Sequence, residues 1–219
     1  MTKDKFYTLR EERANYLSHG LGLLIGIMAT GILVNRAILN DNIWAIIAHS
    51  IFGLGIIACM GASTVYHFVQ EPLKKARLRH FDHASIYILI AASYSPFTLI
   101  LLRPEEPVWG WLLFSLVWII AIIGITISFK PLKRNSNIKT ASYVLMGLIV
   151  LIAFKPLIEV ANAKNSIETI YWLIGGGIFY IVGAVIYATA KREFIHSVFH
   201  VFVLLGLISH IYAAWLIPL

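Results

Sequence analysis

IWAIIAHSIFGLGIIACMGASTVYHF, residues 43–68, contains no aspartate, glutamate, lysine or arginine. As a helix it would span roughly 39 Å, at about 1.5 Å per residue. The hydrocarbon core of a bilayer is only about 30 Å thick. Six similar stretches flank it: Leu17–Leu39, Ala84–Leu102, Val108–Phe129, Thr140–Ile158, Ile170–Ala190 and Phe194–Leu219. The fifth of the seven is the least continuous, because Lys155 and Pro156 interrupt its end. Hydrophobic residues make up 59% of the 219 and charged residues 13%, with mean hydropathy +0.79. Soluble domains carry about 25% charged residues, so this chain cannot clothe a water-facing surface. An ordinary soluble enzyme, a disordered chain and a disulfide scaffold are excluded. The lone Cys59 allows neither an internal disulfide nor a cysteine metal cluster. The net charge of +7 lies in short clusters between apolar runs, which does not suit nucleic acid.

The expected fold is therefore all-α, a seven-transmembrane helix bundle forming one domain over residues 1–219. A β-barrel would alternate apolar and polar residues, and these runs are continuously apolar. No cleavable signal peptide is expected, because the first apolar run is too long for one. Lysines and arginines set the orientation. Fourteen of the eighteen fall at the N-terminus and in the second, fourth and sixth connections; Arg36, Arg103, Lys155 and Lys164 fall on the other side. This predicts a cytoplasmic N-terminus and an external C-terminus. Trp44, Trp109, Trp111, Trp172 and Trp215 all fall near external span ends, as interfacial anchors should, and only Trp118 lies deeper.

Ionisable residues inside spans are costly and are functional candidates by default. In this topology His67 lies near the cytoplasmic end of span two. His196 and His200 lie one turn apart at the start of span seven. Three imidazoles from distant segments thus share one membrane depth. Ser63 stands one turn above His67, and Asp82 is expected to open span three. Three imidazoles plus a water make an open zinc site, and a carboxylate commonly binds the water or orients a ligand. A bare His-x3-His pair also arises as capping or solvated histidine; the matched depth of His67 favours the metal.

Glu12, Asn15 and His19 share a helix face and read either as a polar network under the site or as interfacial anchors. His80 and His83 are expected in a solvated basic loop near lipid headgroups. His49 and His210 are expected to be buried and hydrogen-bonded. Gly20, Gly22, Gly26 and Gly31, with Gly175, Gly176, Gly177 and Gly183, suit close helix approach. No broken helices or repeat halves of the transporter kind are expected. The seventh span lacks a lysine, so a retinal Schiff base is excluded.

Glu12-x2-Asn15-x3-His19, Ser63-x3-His67, Asp82 and His196-x3-His200, in this order across seven spans, resemble the PAQR family. That family includes the adiponectin receptors and the bacterial hemolysin III-like proteins, and the short chain is similar to the latter branch. The resemblance implies Zn2+ bound by His67, His196 and His200 near the cytoplasmic face of a bacterial inner membrane. It implies that Asp82 holds the zinc-bound water and that Ser63 stabilises an oxyanion or supports a ligand. It further implies a hydrolase of lipid amide or ester bonds, similar to the alkaline ceramidases, with membrane lipids as partners and substrate. Two other readings stay open: a receptor or sensor with structural zinc, and a pore-forming cytolysin.

Overall fold

The computed structural model describes residues 7–130, 137–189 and 192–219. Lys3, Lys5, Lys133, Arg134, Lys191 and Ala190, used above for orientation and span limits, lie outside them. Seven helices are long and apolar enough to cross a membrane. They are α1 (Leu9–Leu39), α2 (Ile43–Phe68), α3 (Pro72–Glu105), α4 (Pro107–Ser128), α5 (Ile138–Ala163), α6 (Ile167–Thr189) and α7 (Ile195–Leu216). They run alternately up and down. The starts of α1, α3, α5 and α7 therefore share one face with the ends of α2, α4 and α6. We call this the N-terminal face.

Two helices start earlier than hydropathy suggests. Thr8 and Glu11 form a capping box, each side chain bonded to the other's backbone N–H at 3.2 and 2.8 Å. This satisfies two N–H groups that a helix start leaves open, and α1 begins at Leu9. Pro72 takes the first position of α3, where its missing N–H costs nothing. The charged segment after it is a good helix former. Asp82 therefore lies ten residues inside α3 rather than opening it. His80 and His83 are also helical rather than in a loop, and His80 Nδ1 lies 2.7 Å from the Ser128 carbonyl.

The inner face of α1 is a single stripe: Glu12, Asn15, His19, Gly22, Gly26, Ala29, Leu33 and Ala37 are buried. Leu17, Leu21, Leu24, Met28 and Ile32 on its other side are exposed, where lipid would lie. A Cβ on Gly22 would sit 2.6 Å from Leu204, and one on Gly26 would collide with Ile56. Gly31 and Gly177 meet nothing within 4 Å, so only part of each glycine set serves close packing. α1 packs on α2 and α7, α6 on α7, α2 on α3 and α3 on α4. α3 is the most enclosed span, with 78% of its apolar window buried against 28% for α4, α5 and α6.

Two helices change their pitch along their length. From Pro96 to Leu102 α3 is a π-helix, with all seven residues buried. Leu148–Ala153 of α5 is a 3-10 helix. Backbone groups in a bilayer must be satisfied internally, and Tyr94 of α3 supplies part of that. Its hydroxyl faces the carbonyls of Met146 and Gly147 at 3.0 and 2.8 Å and accepts from the Val150 N–H at 3.0 Å.

On the face opposite the N-terminal one, Trp44 meets Trp111 edge-on at 5.7 Å, under the Arg103 guanidinium at 4.1 Å. Arg36 covers Trp215 at 4.8 Å and donates to the carbonyls of Trp215 and Ile217. These aromatic rings form a belt at one end of the bundle.

Candidate metal centre

The centre is assembled from helix ends at the N-terminal face. His67 occupies the last turn of α2. Before α7, Phe194 adopts φ 61, in the left-handed region, and its N–H reaches a Glu11 oxygen at 3.0 Å. The start of α7 is thereby tied to the start of α1, which places His196 and, one turn on, His200.

The three rings converge through Nε2. His196 Nε2 lies 3.2 Å from His67 Nε2 and 3.0 Å from His200 Nε2. One ligand nitrogen from each ring lies within 4.8 Å of the others. The opposite nitrogens decide the tautomers. His67 Nδ1 is 2.6 Å from Glu12 Oε2, and a carboxylate only accepts, so Nδ1 carries the proton. His200 Nδ1 faces the Asn15 carbonyl at 3.3 Å and Ser18 Oγ at 3.1 Å. Ser18 spends its own proton on the same carbonyl at 2.9 Å, so His200 Nδ1 donates as well.

Two bare Nε2 lone pairs therefore point at a third nitrogen, and one N–H on His196 could satisfy only one of them. A cation satisfies all three. Ligand nitrogens about 2.0–2.1 Å from zinc at tetrahedral angles lie about 3.3–3.4 Å apart. The donor set and its spacing fit that ion. Histidine ligands commonly donate the second nitrogen to a carboxylate or carbonyl, as His67 and His200 do here.

Glu12 is itself held. Its Oε1 lies 3.0 Å from Lys75 Nζ, and both side chains are buried. The Lys75 ammonium also donates to the carbonyls of Tyr66 and Val69, both at 3.0 Å, and lies 4.9 Å from the Tyr66 ring centre. Its three protons thus cap the end of α2 and neutralise the acid that orients His67. Along the sequence Lys75 reads only as a loop charge, and nothing there singles out Ser18. A helix start at Pro72 is the signal that turns residue 75 back toward α2. Asn15 accepts from Ser197 Oγ at 2.6 Å, joining α1 to α7. His19 stacks on His200 at 3.5 Å, with neither nitrogen bonded among the described residues. Tyr7, just before α1, stacks on His196 at 4.9 Å. Burial, followed by the neighbouring Tyr187, raises the Tyr7 phenol pKa well above the ordinary tyrosine value, so it stays a neutral hydroxyl.

Ser63 and Asp82 line the same cavity as His196 and His200, with a volume near 1510 Å³, and the fully buried His67 stands behind its wall. Among the described residues, the group of mutually close ligand atoms comprises the histidines alone, and Asp82 stands outside it. The cavity opens at the N-terminal face, where Leu73 lines it and is 77% exposed. It extends to His210, ten residues past His200 and about 15 Å along α7. Leu151 of α5 and Ile178 of α6 line it while being 57% and 54% exposed, so it also reaches the lipid-facing surface between these helices.

The family model for haemolysin-III related proteins matches residues 7–211. Hemolysin-3 of Bacillus cereus is 34% identical over 198 residues, covering 90% of this chain and 87% of that protein. The Hemolysin-3 homolog of Bacillus subtilis (strain 168) is 36% identical over 200 residues, 91% of each chain. The human monocyte to macrophage differentiation factor is 29% identical over 216 residues, 95% of this chain and 84% of that protein. With the match running from the residue before the α1 cap into the last turns of α7, this multi-pass membrane protein belongs to the haemolysin-III related family.

Proposed function

We propose that this protein is a zinc-dependent intramembrane hydrolase of lipid amide or ester bonds, acting in membrane-lipid homeostasis in a bacterial inner membrane. The N-terminal face is cytoplasmic in this reading, because most lysines and arginines lie there. The observation that carries the proposal is the convergence of three Nε2 atoms, from His67, His196 and His200, beside a cavity that His196 and His200 line together with Asp82 and Ser63.

Zinc bound by the three histidines would supply an acidified water and a Lewis acid for the scissile carbonyl. Asp82 acts as general base. It takes the proton lost by the attacking water and returns it to the leaving nitrogen or oxygen. Ser63 donates a hydrogen bond to the carbonyl oxygen as negative charge develops there. Glu12 keeps the proton of His67 on Nδ1, so that Nε2 stays free to ligate. The opening between α5 and α6 admits an acyl chain from the bilayer.

The test is turnover of lipid amides and esters by the purified protein, with and without zinc. His196→Ala and Asp82→Ala should abolish it; unchanged turnover in either sinks the reading. A second reading is favoured by the origin of the ligands, since α2 and α7 both pack on α1 and zinc would pin them together. A receptor or sensor with structural zinc predicts thermal stability that depends on zinc, no turnover in the wild type, and an Asp82→Ala variant that keeps both zinc and fold.

A further inference from the structure

We propose that the mouth of the cavity is a binding site for the phosphate of an anionic lipid headgroup, formed by Arg79 of α3, Lys139 of α5 and Arg192, which precedes α7. All three line the cavity at the N-terminal face. They come from three separate elements. Arg79 and Lys139 are half-buried and within electrostatic reach of each other and of His83. Asp82 also acts on His83 there, but one carboxylate does not balance these cations, and net positive charge gathered at a partly desolvated opening is unfavourable unless a further anion joins it.

Four other cations are paired with acids, whereas Arg10, Arg13, Arg77 and Lys130 are unpaired among the described residues but lie outside the cavity. Lys75 pairs with Glu12, Lys74 with Glu71, Lys155 with Glu159 and Lys164 with Glu105. Among the described residues, neither Arg79, Lys139 nor Arg192 has a carboxylate within 4.0 Å. Asp82 is three residues from Arg79 and makes no such pair with it.

The ligand chemistry follows from both ends of the cavity. Guanidinium groups present paired N–H donors that match phosphate oxygens. Behind the mouth the lining becomes apolar, with Ile86, Leu89, Phe199 and Val203 among it. That sequence of surfaces accepts a phosphate outermost and an acyl chain innermost, with the carbonyl that joins them near the histidines. The inference deepens the proposed hydrolase by naming its lipid class, and it rests on that reading only for the fate of the bound lipid. Binding is therefore measured in a His200→Ala background as well as in the wild type, so that loss of turnover and loss of headgroup recognition are read separately.

The experiment measures equilibrium binding to the full chain in neutral detergent. The probes are lysophosphatidylglycerol, a monoacylglycerol of the same chain length, and glycerol 3-phosphate. The phospholipid should bind at least about tenfold more tightly than either of the others, the equivalent of about one charge-assisted hydrogen bond. Arg79→Gln, Lys139→Gln and Arg192→Gln should each lower that preference several-fold, and Arg79→Lys should retain most of it. Lys74→Gln and Arg77→Gln alter the same basic segment outside the cavity and should leave it unchanged. Equal weakening by these two variants would reduce the effect to general surface charge and overturn the proposal. Equal affinity for the monoacylglycerol overturns the phosphate, and equal affinity for glycerol 3-phosphate overturns the lipid.

Discussion

His67 and His200 are buried and His196 half-buried at one end of the bundle, His49 and His210 are buried toward the other, and the two sets are built differently. In the first set, Nδ1 of both His67 and His200 is held, by Glu12 and by Asn15 with Ser18, and all three Nε2 atoms meet. In the second set, His210 Nε2 faces the Leu173 carbonyl at 3.1 Å, and among the described residues its Nδ1 has no partner and His49 has none at either nitrogen. Imidazoles become a ligand set when neighbours fix the tautomer and aim the bare nitrogens at one point. Burial alone does not do this. The ion pairs differ in the same way. Glu12–Lys75 is buried and bonded on every side, whereas Lys74–Glu71 is a surface pair at 2.7 Å with side chains 69% and 52% exposed.

The sharpest way to break this contrast is metal analysis of purified variants. His67→Ala and His200→Ala should fall from stoichiometric zinc to background, while His49→Ala and His210→Ala keep it. Zinc lost from the second pair, or retained by the first, would erase the distinction. Next in size is Lys75→Met, which strands a buried Glu12 carboxylate and should cost about 3–5 kcal/mol of unfolding free energy. Lys74→Met should cost about 1 kcal/mol or less. The double variant Glu12→Gln with Lys75→Met should regain much of the stability while binding zinc weakly, which separates the fold's need for the pair from the metal's.

Glu12→Gln alone removes the charge behind His67. It should weaken zinc about 10–100-fold in a competition titration with a chelator, with His210→Ala as the unaffected comparison. The smallest effect lies in the packing around the far histidine. A Cβ on Gly176 would collide with the His210 ring, whereas Gly177 meets nothing within 4 Å. Gly176→Ala should lower stability by about 1–3 kcal/mol and Gly177→Ala should leave it nearly unchanged. Both are read from denaturant midpoints in detergent, with zinc content constant.

Much of this arrangement is legible along the chain. The span 43–68 coincides with α2, and Glu12, Asn15 and His19 do lie on one buried stripe. What escapes is local and three-dimensional. Residues 72–83 read as a loop because their charges depress hydropathy, yet Pro72 starts a helix there and carries Lys75 back to α2. The changes of pitch at Pro96–Leu102 and Leu148–Ala153 leave no mark in an apolar average. The one in α5 persists because Tyr94, from α3, bonds the backbone groups that the 3-10 segment leaves open.

By itself the sequence determined the membrane class, the seven spans and the shared depth of three histidines. Those properties are sums over some twenty residues, and hydration energy is nearly additive over that length. Only the tertiary structure decided that the three Nε2 atoms meet, that Glu12 and Lys75 stand behind them, and that Asp82 and Ser63 open on the same cavity. Each of those outcomes depends on how one helix is rotated against another. A single residue turns a helix by about 100°, which is far finer than any hydropathy average resolves.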